Sequence, residues 1–92
     1  MNEEKVKRDA WNIYQRLATN EITREEAANW AMMFIIQDSY IKDDALWSHI
    51  ETISGADLKI SETEYLHHQV DFENWVFRYM EDFKETVGIL AA

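Results

Sequence analysis

The chain contains no proline, and its only two glycines are Gly55 and Gly88. These two residue types supply the fixed or positive backbone angles on which most tight turns depend, and a sheet-rich fold needs many such turns. A chain so poor in both is expected to consist of a few helices joined by short polar segments. We therefore predict an all-α fold, a compact four-helix bundle.

The length of 92 residues corresponds to one domain, and we expect residues 1–92 to form it. Hydrophobic residues make up 47% of the chain and include four Trp, four Tyr and four Phe, which disordered chains lack. Cysteine is absent, which excludes disulfides and thiolate metal sites. The charged start and the lack of a long apolar run predict a cytoplasmic protein with no membrane partner.

Apolar residues recur at helical spacing in four segments, each of which contains one tryptophan. Thr23 with Glu26 matches the capping box, in which two side chains satisfy the unpaired backbone N–H groups of a helix start. Asp43 and Asp71 are the expected N-caps of the third and fourth helices. The predicted helices cover about residues 3–18, 24–37, 44–54 and 72–87.

The segment between helices three and four is harder to assign. Gly55 is expected to end helix three in a left-handed conformation, and Gly88 is expected to end helix four. Residues 58–60 and 65–67 alternate between apolar and polar side chains, so they can pair as a short hairpin. An irregular loop over residues 56–70 is the alternative.

The net charge of −9 is unevenly distributed along the chain. Residues 1–24 carry five basic and four acidic side chains, whereas residues 25–92 carry four basic and fourteen acidic ones. Such a surface repels nucleic acid, so we expect no nucleic-acid partner. A basic protein, in contrast, would be attracted and steered towards it.

No Gly-rich phosphate loop, G-x-S-x-G motif or H-E-x-x-H motif occurs, so we expect neither enzymatic activity nor a cofactor. The remaining candidate for chemistry is Glu64 with His67 and His68. A carboxylate and an imidazole three residues apart share a face if the segment is helical, and they are common metal ligands. If His67 points inward, it is instead expected to make a hydrogen bond that closes the loop over the core.

The order of these capping and core positions resembles a family of small uncharacterised bacterial proteins. The resemblance is carried by residues 22–27, 30–31, 46–47, 55–58, 65–67, 71 and 75. It covers roughly residues 20–79, and the first helix lies outside it. Some proteins of this style look like immunity partners of secreted bacterial toxins. The resemblance therefore implies a protein that covers a basic toxin with its acidic surface.

The main hypothesis is accordingly a non-enzymatic acidic module that binds another, basic protein. Its expected contact residues are exposed acids and one aromatic near helix three: Asp38, Tyr40, Asp43, Asp44, Glu51, Glu62 and Glu64. One alternative is a metal- or small-ligand-binding domain centred on Glu64, His67 and His68. Another is a homodimer that buries the strongly apolar second helix.

Overall fold

A computed structural model describes residues 2–37 and 39–91, and the side chains from Asn2 to Gly88 within those ranges. The described residues form five helices and no β-strand. These are α1 (Glu3–Ala18), α2 (Arg24–Ile36), α3 (Asp44–Ser54), α4 (Gln69–Asp82) and α5 (Lys84–Ala91). The predicted all-α fold is confirmed. None of the helices described here combines the length and the apolar character that crossing a bilayer requires.

The helices pack as two main pairs, α2 against α3 and α1 against α4, and α1 also contacts α2, α3 and α5. One side of α1 is buried because its apolar residues recur three or four positions apart. Those buried residues are Val6, Ala10, Trp11, Tyr14 and Leu17. The opposite side of α1 faces solvent, so this central helix has one face in the core and one face at the surface.

The predicted helix starts of α2 and α3 are confirmed. The Thr23 hydroxyl accepts the Glu26 backbone N–H at 3.0 Å, and the Glu26 carboxylate accepts the Thr23 N–H at 3.1 Å. The Asp43 carboxylate accepts the Leu46 N–H at 3.1 Å. These contacts are local in sequence, which is why the sequence alone identifies them.

The left-handed helix end is at Asn20, with φ 61°, and not at the predicted Gly55, whose φ is −94°. After α1 the Glu21 N–H donates to the Arg16 carbonyl at 2.8 Å, the long bond of a Schellman motif. A Cβ on residue 55 would lie 3.1 Å from Leu58 Cδ1. Glycine is therefore suited to position 55 by its small size, and the prediction of a left-handed cap there is wrong.

The C-terminal helix differs from the prediction in two ways. Asp71 is not the N-cap but lies in the first turn of α4, where its carboxylate accepts the His68 N–H at 2.7 Å. The helix then breaks at Phe83, with φ −133° and ψ 52°, and α5 continues past Gly88. The break lets the Phe83 ring pack 4.9 Å from the Tyr79 ring while Val87 also reaches the core.

Residues 56–68 form a minimal hairpin, one of the two predicted alternatives. Lys59 and Tyr65 make a single antiparallel bridge. The Leu66 N–H donates to the Leu58 carbonyl at 2.8 Å, and the Ile60 N–H donates to the Glu64 carbonyl at 2.9 Å.

Arg24, at the start of α2, fixes this hairpin to the helices. Its guanidinium lies 4.2 Å from the centre of the Tyr65 ring and 4.8 Å from that of Phe72, and it donates a hydrogen bond to the His67 carbonyl. The Tyr65 hydroxyl donates to Glu25 at 2.6 Å. A cation over two aromatic faces and two hydrogen bonds therefore hold the hairpin against α2 and α4.

Among the described residues, one polar side chain is buried in the core, that of His49, which is only 7% exposed. Burial lowers the His49 pKa and raises the Tyr14 pKa, so both groups stay neutral near pH 7. The Tyr14 hydroxyl thus donates to His49 Nδ1 at 2.7 Å, and His49 Nε2–H donates to the Asp82 carboxylate at 2.7 Å. This chain of hydrogen bonds joins α1, α3 and α4.

Replacing Tyr14 with phenylalanine removes the hydroxyl but keeps the ring, which leaves Nδ1 of the buried His49 without its partner. We expect the free energy of unfolding to fall by about 1–3 kcal/mol, measured by urea denaturation at pH 7. Tyr40→Phe is the matched control, because Tyr40 is 78% exposed, and it should change stability little. Equal stability of the two variants would show that the hydrogen bond does not support the fold.

Candidate functional site

The solvent-facing side of α1 carries a compact set of polar side chains. We define the outer face of α1 as five of its six exposed residues, Lys5, Arg8, Asn12, Gln15 and Arg16; the sixth, Glu4, lies at the edge of this face, one turn before Arg8. Their spacing along the helix places them on one side, opposite the buried residues of α1. Three of these side chains are cations and two are amides, and none is acidic.

The acidic residues of α1 are directed to contacts at the margins of this face. The Glu3 carboxylate accepts two backbone N–H groups of the α2–α3 connection, those of Lys42 at 3.0 Å and Asp43 at 3.2 Å. Glu4 pairs with Lys7 at 3.3 Å, and Asp9 pairs with Lys5 at 3.0 Å. Local partners thus offset most of the negative charge of α1.

The positive charges of Arg8 and Arg16 are not offset by ion pairs within the described residues. Neither makes an ion pair with any residue in the ranges 2–37 and 39–88, and both are exposed. With four basic and three acidic residues, α1 has a net charge of +1, whereas α2, α3 and α4 carry −1, −2 and −3 and α5 is neutral. Among the described helices, α1 is the only one with a positive net charge.

Asn12 and Gln15 are the two amides of the outer face. Neither side chain makes a hydrogen bond within the part of the chain that the structure describes. Each amide offers both a donor and an acceptor. A ligand that approaches this face therefore meets two cations without ion-pair partners and two unoccupied amides.

The helix α4 packs antiparallel to α1, since the Gln69 amide donates to the Ala18 carbonyl and the Tyr79 hydroxyl donates to the Lys7 carbonyl. A shallow depression between the two helices is lined by Ala18, Glu73, Val76 and Phe77. The Phe77 side chain is 65% exposed, and the Glu73 carboxylate is also exposed. The neighbourhood of the outer face therefore includes one exposed aromatic ring and one negative charge.

The residues predicted to contact a protein partner lie on three different segments. Tyr40 is exposed in the α2–α3 connection, and Asp38 lies outside the described residues. Asp43 caps α3 and pairs with Lys7 at 3.5 Å. Asp44 and Glu51 are exposed on α3, and Glu62 and Glu64 are exposed in the hairpin. No hydrogen bond or ion pair joins any two of the described members.

The three residues considered for a metal site, Glu64, His67 and His68, also do not converge on one point. The His67 ring packs edge-on against Trp75, with 4.8 Å between ring centres, and His68 precedes α4. The hydrogen bond that closes the hairpin at His67 is made by its backbone carbonyl and not by its ring. Within the described residues, no three His, Asp or Glu side chains form a group that could hold a metal ion.

The sequence comparisons identify the family. A family model described as "YxzC DNA-binding protein" matches residues 4–79. The chain is also similar to "Uncharacterized protein YxzC" of Bacillus subtilis (strain 168), with 34% identity over 71 residues. That alignment covers 76% of this chain and 58% of the relative, so the chain spans less than two thirds of the relative's length. No solved structure matches.

The family's description contradicts two predictions from the sequence. A DNA-binding family conflicts with a protein-binding immunity role as the main function, and it conflicts with the expected absence of a nucleic-acid partner. The prediction gave most weight to the acidic excess of residues 25–92, whereas the outer face of α1 is positively charged. The predicted family of small bacterial proteins is confirmed, but its likeness to toxin immunity partners finds no support. This chain belongs to the YxzC family.

Proposed function

We propose that this protein binds DNA through the outer face of α1. The observation that carries the proposal is the local reversal of charge, in which Arg8 and Arg16 stand without ion-pair partners on the only positively charged helix described. The description of the family as DNA-binding supports the same function. Binding of this kind involves no catalytic step, and in a bacterium it takes place in the cytoplasm.

The chemistry of the outer face suits a phosphate backbone. Lysine and arginine neutralise phosphates and release condensed counterions, and this release supplies much of the affinity of proteins for DNA. Lys5, Arg8 and Arg16 provide three such cations, although Lys5 must exchange its contact with Asp9 for the phosphate. Residues 25–92 carry a net charge of −10, which opposes the approach of DNA from a distance. We therefore expect modest affinity that depends steeply on salt.

The other helices are poorer candidates. The exposed side of α3 presents Asp44 and Glu51, which repel phosphate. The connection between α2 and α3 covers residues 37–43, longer than the three- or four-residue turn of a helix-turn-helix motif. Both the charge of α3 and the length of the α2–α3 connection thus disfavour binding of DNA by α2 and α3 as a helix-turn-helix motif.

Removing the two unpaired arginine charges tests the site. We expect Arg8→Gln with Arg16→Gln to weaken binding to a duplex of about 20 base pairs by roughly tenfold or more at low salt. The slope of log K against log salt should become shallower by about 2, since about one phosphate contact is lost per arginine. Fluorescence anisotropy at several salt concentrations measures both quantities.

Lys59→Gln with Lys84→Gln is the matched control, because it removes the same charge from exposed lysines of the hairpin and α5. We expect this control to retain most of the affinity and of the salt slope. If both double variants weaken binding equally, the effect comes from net charge alone, and the outer face of α1 is not the site.

Glu73 provides an independent test of opposite sign. Its exposed carboxylate lies in the depression beside Ala18, so it should repel phosphates bound at the outer face of α1. We expect Glu73→Gln to tighten DNA binding by about two- to threefold, the size of one charge interaction through water over several ångströms. Glu51→Gln, on the exposed side of α3, is the control and should have a smaller effect; the reverse order of effects would argue for binding at α3 instead.

A further inference from the structure

We propose that Asn12 and Gln15 read base edges in the major groove of duplex DNA and favour adenine, which makes α1 a recognition helix. This inference rests on the DNA-binding function proposed above and assigns the sequence-reading residues of that same face. The two amides lie between Arg8 and Arg16 along the exposed side of α1.

The dimensions of α1 suit the major groove. A helix of 16 residues is about 24 Å long, and the groove is about 12 Å wide, enough to admit one helix. The span from Lys5 to Arg16 along the helix axis is about 16 Å at 1.5 Å per residue. At about 3.4 Å per base pair, this span corresponds to roughly five base pairs.

The order of charges along the helix assigns different roles to its residues. Lys5 and Arg8 occupy one end of the outer face, Arg16 occupies the other, and the amides lie between them. Long cationic side chains at both ends reach the phosphates on the groove margins and fix the orientation of the helix. The shorter, uncharged amides, Asn12 nearer the middle and Gln15 directly before Arg16, then face the base edges.

The amide group matches one base in particular. Adenine presents an acceptor, N7, beside a donor, the N6 amino group, and a side-chain amide can bond to both at once. Guanine presents two acceptors at the same edge, so the amide oxygen would face another oxygen. Because the side-chain amides of Asn12 and Gln15 make no hydrogen bond to another described group, both are available without breaking a contact of the fold.

The experiment is selection of sites from a randomised duplex pool at low salt, followed by affinity measurements on the selected sequence. We expect the wild-type protein to enrich adenine at one or two positions and to lose roughly 5- to 100-fold in affinity when such a base is replaced. The double variant Asn12→Ala with Gln15→Ala should lose this preference, so that it binds the selected duplex and the duplex with the replaced base with equal affinity.

The variant is expected to fold, because alanine is a favourable residue at exposed helix positions, and its thermal unfolding should match that of the wild type. Asn29→Ala, at an exposed position on α2, is the control and should retain the adenine preference. An unchanged consensus in the double variant would overturn the inference but not the DNA-binding function. Uniform binding of all duplexes by the wild type would have the same consequence, since the amides then make no base contact.

Two other outcomes distinguish failure of base reading from failure of the proposed DNA binding. Tighter binding to single strands than to duplex, abolished by Phe77→Ala, would replace groove reading with stacking of bases on the exposed ring. Absence of binding to any DNA at low salt would overturn both the proposed function and the inference.

Discussion

The hydrogen bond from the Tyr14 hydroxyl to His49 Nδ1 lies where α1, α3 and α4 meet. A buried imidazole nitrogen without a partner is unfavourable, so this bond favours the rotation of α1 that turns Tyr14 towards α3. The same rotation buries the apolar residues Val6, Ala10 and Leu17. With Tyr14 inward, helical geometry turns Arg8, Asn12 and Arg16 outward. The chemistry of the surface is thus linked to the packing of the core.

Net charge and local charge have opposite signs in this protein, and they act over different distances. The overall charge of −9 reduces the attraction between the protein and any polyanion before contact. At contact, screening by salt over about 10 Å leaves mainly the groups of the outer face to interact with the phosphates. Under the proposed function, the protein binds DNA less by general attraction than by contacts at one face. Such a balance favours recognition of particular sequences over indiscriminate coating of DNA.

The helices, and the starts of α2 and α3, could be predicted because capping and apolar periodicity depend on residues a few positions apart, as at Thr23 and Asp43. The break at Phe83 and the burial of His49 could not, since both depend on contacts between residues distant in the sequence. The functional prediction was wrong for a different reason: it gave the acidic excess of residues 25–92 more weight than the positive balance of residues 1–24. The positive balance of residues 1–24 and the helical spacing of the cations were already visible in the sequence. Their meaning depended on knowing that the acids of α1 are paired and that Arg8 and Arg16 are not.

The most direct test of the central claim is to map where duplex DNA contacts the protein by following the backbone amide resonances of the 15N-labelled chain during a titration at low salt. We predict that the largest, saturable shifts occur in α1, at and around Arg8, Asn12 and Arg16, and extend to the neighbouring part of α4 near Phe77. Shifts concentrated on the exposed side of α3 or in the hairpin, with α1 unaffected, would contradict the assignment of the outer face of α1 as the DNA-binding site.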